Sequence, residues 1–223
     1  LPMDMQVAQL RGPREKKREC LDMGKIHFIK KIWSNSPKLF HIAELESSGA
    51  GKIGMEVGSV REKVIIALLI HKYGKESVDT NIPITQAETD VIVKSVPYSI
   101  KTITGNGGVK AVWTVDASSA ATFIENYAPK CHILLIQINW GYTKGGFSLI
   151  PLEVQKKVLS KLGKTRYLKL PKAGTNPRGV EFTKEAIETM LADKGTFKVD
   201  IDWKKEILEY DTYKKWVEYW KED

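Results

Sequence analysis

The longest unbroken apolar run in the chain is residues 64–70, and it lies within a stretch, 59–73, that reads as a buried helix. Ser59 and Glu62 have the spacing of a capping box at its start, and Gly74 follows as a stop. Beyond it the period changes to two. Residues 89–93 are β-branched and apolar apart from Asp90, and 99–103 alternate polar with apolar, so two short strands should meet near Lys94, Ser95, Val96 and Pro97. A glycine-rich turn at 104–108 leads to a third strand at 109–115, an N-cap at Asp116 and a helix at 117–127. The nearly continuous apolar run 132–140 fits a central strand buried on both faces.

That order of helix, three strands, helix and strand predicts an α/β fold, a mixed β-sheet flanked by helices. Further elements follow: a helix opened at Pro151 and closed by Gly163, a short strand at 166–170, and a polar loop at 171–179. A helix capped by Thr183, a strand at 197–202, and an amphipathic helix carrying Tyr210, Tyr213, Trp216, Tyr219 and Trp220 complete the extension. Upstream, residues 25–33 read as a helix or strand with one buried face, broken at Pro37. We expect a single domain over 1–223, with its core at about 59–140, an N-terminal basic arm at about 1–33 and a C-terminal α/β extension at about 147–223.

Composition narrows the class. The 223 residues are 42% hydrophobic and 28% charged, which is globular, and no window approaches the length of a membrane span. The first residues lack a secretion signal, so a cytoplasmic protein is expected. Cys20 and Cys131 are too few for a disulfide framework or a zinc cluster. The net charge of +8 makes a polyanion a natural partner. The densest basic run, 11–18, can contact phosphates or be a solvated arm; Lys172, Asn176 and Arg178 can meet bases and phosphates or line an ordinary surface loop. Lys52, Arg61 and Lys144 are further basic candidates for DNA contact. The glycine-rich stretch 47–58 lacks the spacing of a phosphate loop. Met55, framed by glycines within it, is either a core contact made by a loop or an apolar wedge against base pairs.

The candidate chemistry sits on the hairpin. A carboxylate at Asp90 and an ammonium at Lys101 on adjacent strands suit metal-assisted phosphodiester hydrolysis, or else form a cross-strand ion pair. Glu62 is explained by its capping box, yet would also bring a second carboxylate toward Asp90.

Glu62, Asp90 and Lys101 together resemble the active-site residues of the PD-(D/E)xK nuclease superfamily. Its core of helix, three strands, helix and strand carries an Asp on one strand and acid-x-Lys on the next. Here Ser99 takes the acid position, so the element reads Ser99-Ile100-Lys101, and no Pro-Asp precedes the hairpin. In some restriction endonucleases with Ser at that position the missing carboxylate comes from a helix, and the resemblance implies that Glu62 would be that replacement. Segment 54–62, with Asp90 and Lys101, is similar to the ThaI family of type II restriction endonucleases. The likeness implies a homodimer that hydrolyses double-stranded DNA at a short palindrome, CGCG, with a cognate methyltransferase in the host. It implies Mg2+ held by Asp90, the Ile100 carbonyl and Glu62, with Lys101 serving the attacking water. Two literal acid-x-Lys elements, ending at Lys17 and Lys204, are rejected because the first has no acidic strand before it and the second follows the core. A structure-selective nuclease such as a junction resolvase, and a non-catalytic DNA-binding protein, remain the competing classes.

Overall fold

Around the apolar helix and the hairpin after it, the computed structural model describes residues 26–49, 52–53, 56–83, 86–105, 108–112, 117–141, 145–170 and 179–222. Helix α1 (Ile26–Glu46) packs on α2 (Val57–Tyr73), and the chain between them holds a small pairing of β1 (Ser48–Gly49) with β2 (Lys52–Ile53). A 3-10 turn then leads to β3 (Val78–Asp79), β4 (Val91–Val93), β5 (Val96–Thr104), β6 (Lys110–Val112), α3 (Ala117–Asn126) and β7 (His132–Ile138). The extension supplies β8 (Gly146–Ile150), α4 (Leu152–Leu162), α5 (Lys164–Tyr167), β9 (Leu168–Lys169), β10 (Val180–Phe182), α6 (Lys184–Ala192), β11 (Phe197–Asp200) and α7 (Lys214–Tyr219). Six strands form the main sheet in the order β11-β8-β7-β5-β4-β3, antiparallel except where β5 runs parallel to β7. A second sheet of three strands has the order β6-β10-β9.

Alternation explains why β7 is apolar without a break from Ile133 to Ile136. Leu134, Ile136 and Ile138 join Ile65 and Leu69 of α2 in one core, while Ile133 and Leu135 join Val154, Val158 and Met190 in the other. Both faces are therefore covered, and each fully buried Leu or Ile contributes about 1.5–3 kcal/mol. The β4–β5 hairpin pairs Val93 with Val96 across Lys94 and Ser95, whose φ values of 49° and 66° place both in the left-handed region. Pro97 is tolerated in β5 because it precedes Tyr98, where pairing with β7 begins, and so removes no donor from that ladder.

Several expectations need correction. The third strand of the meander is not 109–115: β3, two residues long, provides it at the other edge, and β6 leaves for the second sheet to pair with β10. Helix α1 runs through Pro37, because Ile32 and Phe40 on either side are buried and Phe40 packs edge-on against Trp203 at 5.7 Å. Helix α2 starts two residues before Ser59, its ladder already begun by Val60 N–H donating to the Glu56 carbonyl, and no side chain caps it. Glu62 therefore has no capping duty. Residues 164–167 are helical, leaving only Leu168–Lys169 as strand. The aromatic tail does not pack as an amphipathic helix: α7 buries no residue, and Trp220 is 90% exposed. Gly74, Gly163 and Thr183 do end and cap their helices, Thr183 by accepting from the Ala186 N–H. No helix among the described residues is long and apolar enough to cross a membrane.

Candidate active site

Asp90 stands just before β4, where its N–H donates to the Tyr98 carbonyl at 2.9 Å, next to the Val91–Tyr98 pair that ends the hairpin ladder. Its Oδ2 accepts from Ser99 Oγ at 3.0 Å and from the Ile100 N–H at 2.6 Å. Lys101 Nζ lies 3.7 Å from the same oxygen. Ser99 thus fills the acid position of the motif by holding Asp90 in place rather than by supplying a charge. The two charged side chains are 22% and 18% exposed, so the pair is only partly hydrated and its field is weakly screened.

What lifts this above a cross-strand ion pair is the space it faces. A cleft of ≈ 480 Å3 is lined by Asp90, Ile100 and Lys101, by Ser59 and Glu62 from the start of α2, and by Lys110 of β6. Glu62 is half-buried; burial first, then the negative charge of Asp90, push its carboxyl above the usual carboxylate range, with Lys101 pulling the other way. The structure therefore brings Glu62, Asp90, Ile100 and Lys101 into one cleft. Sequence reasoning passed over Glu88, a largely buried acid that feels the charge of Lys101 without lining the cleft. Burial raises the Glu88 carboxyl while Lys130 and Lys101 oppose the shift. Glu88 lies in the turn that precedes β4, where no strand period marks it in the sequence.

Arg61 is a correction. Next to Glu62 in sequence, it is nonetheless buried at 5% exposure, with Nη2 at 2.6 Å from Glu44 Oε1. Glu44, 3% exposed, also accepts from Trp140 Nε1 at 2.7 Å and pairs with Lys205 at 2.8 Å. Arg61 therefore clamps α2 to α1 and is not available to DNA. Met55, Lys144, Lys172, Asn176, Arg178 and the basic run 11–18 lie outside the described residues, and of Lys52 only the backbone is described. The rejected pair Asp202 and Lys204 forms its own ion pair at 2.7 Å beyond the last strand of the main sheet.

A hard cation such as Mg2+ accepts one or two carboxylates and keeps several waters. Asp90, Glu62 and the Ile100 carbonyl are a donor set of that kind, and the described residues hold no cluster of three His, Cys, Asp or Glu side chains. The residues present fit the ion.

A helix, an antiparallel three-strand meander, a second helix and a strand parallel to the last of the meander, with an acid before one strand and a lysine on the next, define a nuclease of the PD-(D/E)xK class. Residues 24–222 match the family described as restriction endonuclease ThaI, and the chain belongs to that family. It is similar to a solved structure described as a restriction endonuclease in complex with substrate DNA, at 47% identity and a TM-score of 0.78, over 87% of this chain and 94% of that one. No curated protein matches the chain.

Proposed function

We propose that the protein is a Mg2+-dependent type II restriction endonuclease that cuts double-stranded DNA as a homodimer at a short palindrome, CGCG being the target that the family likeness implies. The observation carrying this reading is the Asp90 carboxylate and Lys101 ammonium, 3.7 Å apart on adjoining strands, in one cleft with Glu62. Asp90, Glu62 and the Ile100 carbonyl would hold the cation, which supplies Lewis-acid polarisation of the phosphate and of a water. Ser99 and the Ile100 N–H fix Asp90, so its orientation costs little at the moment of binding. Lys101 holds the attacking water and offsets negative charge as the phosphorus becomes five-coordinate. Met55, just ahead of α2, is the candidate wedge that enters the minor groove and reads the deformability of a base step.

Incubation of the protein with plasmid DNA tests the reading. Discrete bands that appear with Mg2+ and vanish with EDTA are expected, their ends mapping to CGCG. Retardation without cleavage under all divalent ions would leave a binding protein, and preferential cutting of four-way junctions a resolvase.

A further inference from the structure

The second sheet carries a charge arrangement that the hydrolytic centre does not use. Glu181 on β10 is in register with Lys110 on β6 and with Lys169 on β9, so the three residues stand abreast across the sheet. Lys110 Nζ donates to Glu181 Oε1 at 2.8 Å, and Lys169 Nζ lies 3.0 Å from Oε2. One carboxylate thus holds two ammonium groups, each by its own oxygen. The hydrogen bond from Lys110, opposed by burial and helped by Lys169, holds the Glu181 carboxyl below the usual range.

Its position gives the ladder a use. Lys110 lines the cleft of Glu62, Asp90 and Lys101, while Lys169 and Glu181 line a neighbouring cavity of ≈ 520 Å3; Ile103, Gly108 and Val109 line both spaces. Gly108 runs so close that a Cβ there would stand 2.5 Å from Glu181 Oε2, so the backbone crowds the carboxylate. The lysine side chains are the more open members, 32% and 53% exposed against 23% for Glu181. Two lysines more open than the carboxylate they share, one of them lining a cleft for a phosphodiester, are suited to an anion from outside.

We infer that Lys110 and Lys169 form a phosphate-binding subsite for the DNA strand beside the catalytic cleft, and that Glu181 is an internal placeholder which holds both ammonium groups until phosphate displaces it. A phosphodiester presents two anionic oxygens much as a carboxylate does, and lysine meets it as a point charge without reading bases. The subsite rests on the DNA reading above and adds register on the backbone, while the carboxylate lowers affinity for DNA at large.

The test is fluorescence anisotropy of the full chain with a labelled duplex lacking the target, without divalent cation, over a range of salt. Each phosphate neutralised by a lysine contributes about 0.9 to the slope of log K against log salt. Lys110→Met and Lys169→Met should each reduce that slope by about one. Glu181→Gln, which keeps the shape and removes the competing charge, should tighten binding by about five- to tenfold at low salt. Wild-type slopes in both lysine variants, or unchanged affinity in Glu181→Gln, would overturn the inference. Should Lys110→Met fail to fold, Lys169→Met decides alone, since its side chain is half exposed. A wild-type protein that binds no duplex would instead remove the DNA reading itself.

Discussion

Replacing Glu44 by Gln takes one negative charge from the inner end of α1 and leaves the shape of the side chain. The carboxylate at that position is buried and receives Arg61 at 2.6 Å, Trp140 at 2.7 Å and Lys205 at 2.8 Å. Lys205 is 43% exposed at its side chain and can turn to water, but the Arg61 side chain is 6% exposed and cannot. The variant therefore strands a buried guanidinium, and removing one partner of such a pair costs about 3–5 kcal/mol. Because the Gln carbonyl still accepts one hydrogen bond, the low end applies, about 3 kcal/mol, or a fall in Tm of about 6–12 °C for a chain of this size. Urea unfolding followed by tryptophan fluorescence measures it, since Trp140 and Trp203 stack edge-on at 5.6 Å beside the network. Adding Arg61→Met should recover part of the loss, because the uncompensated charge goes with it. Burial raises the Glu44 carboxyl, but hydrogen bonds from Lys205, Trp140 and Arg61 outweigh it and leave the group below its ordinary value. The sign follows: this stability is present above the ordinary carboxylate pKa and is lost as pH falls through the depressed one, so wild type and variant should converge in acid. A difference below about 1 kcal/mol at neutral pH, or a double variant as unstable as the two single losses summed, would refute the reasoning.

Asp90→Ala should abolish cleavage while leaving DNA retardation largely intact; retained cleavage would place the hydrolytic centre elsewhere. Lys101→Arg should lose most cleavage, because guanidinium is larger, planar and effectively never deprotonated, and single-turnover rates report it. Glu62→Gln should lower cleavage yet stabilise the fold at neutral pH. The raised carboxyl binds its proton more tightly when folded, so wild-type stability falls as pH rises from the ordinary value to the raised one, and the gain should vanish below both on pH-dependent melting. Ser95→Gly should add about 0.5–1 kcal/mol by urea unfolding, since a left-handed residue costs more with a Cβ than glycine costs in entropy.

The parts legible from sequence were those written within a few residues. Gly74 and Gly163 as stops, Thr183 as a cap, and the approach of Asp90 to Lys101 across a tight hairpin each need only local chain geometry. What stayed hidden depended on distant partners. Strand β3 has two residues and no period to betray it, and β6 looks like any third strand until β10, about seventy residues on, claims it. Arg61 reads as a basic residue at a helix mouth because its counter-ion, Glu44, belongs to another helix. The aromatic spacing near Trp216 and Trp220 is the same whether or not anything covers that face.

The contacts that build the cleft differ greatly in the length of chain they close. Asp90 and Ser99 are nine residues apart, whereas Lys110 and Glu181 are separated by 71. A hairpin forms in about 1–10 μs, while a contact closing a long loop waits on chain search, and during synthesis it waits until the later strand has left the ribosome. The pair of Asp90 and Lys101 is thus assembled early, and the wall formed by Lys110 and Glu181 beside it closes later. On that order a nascent chain pairs Asp90 with Lys101 before it has the wall that bounds their cleft.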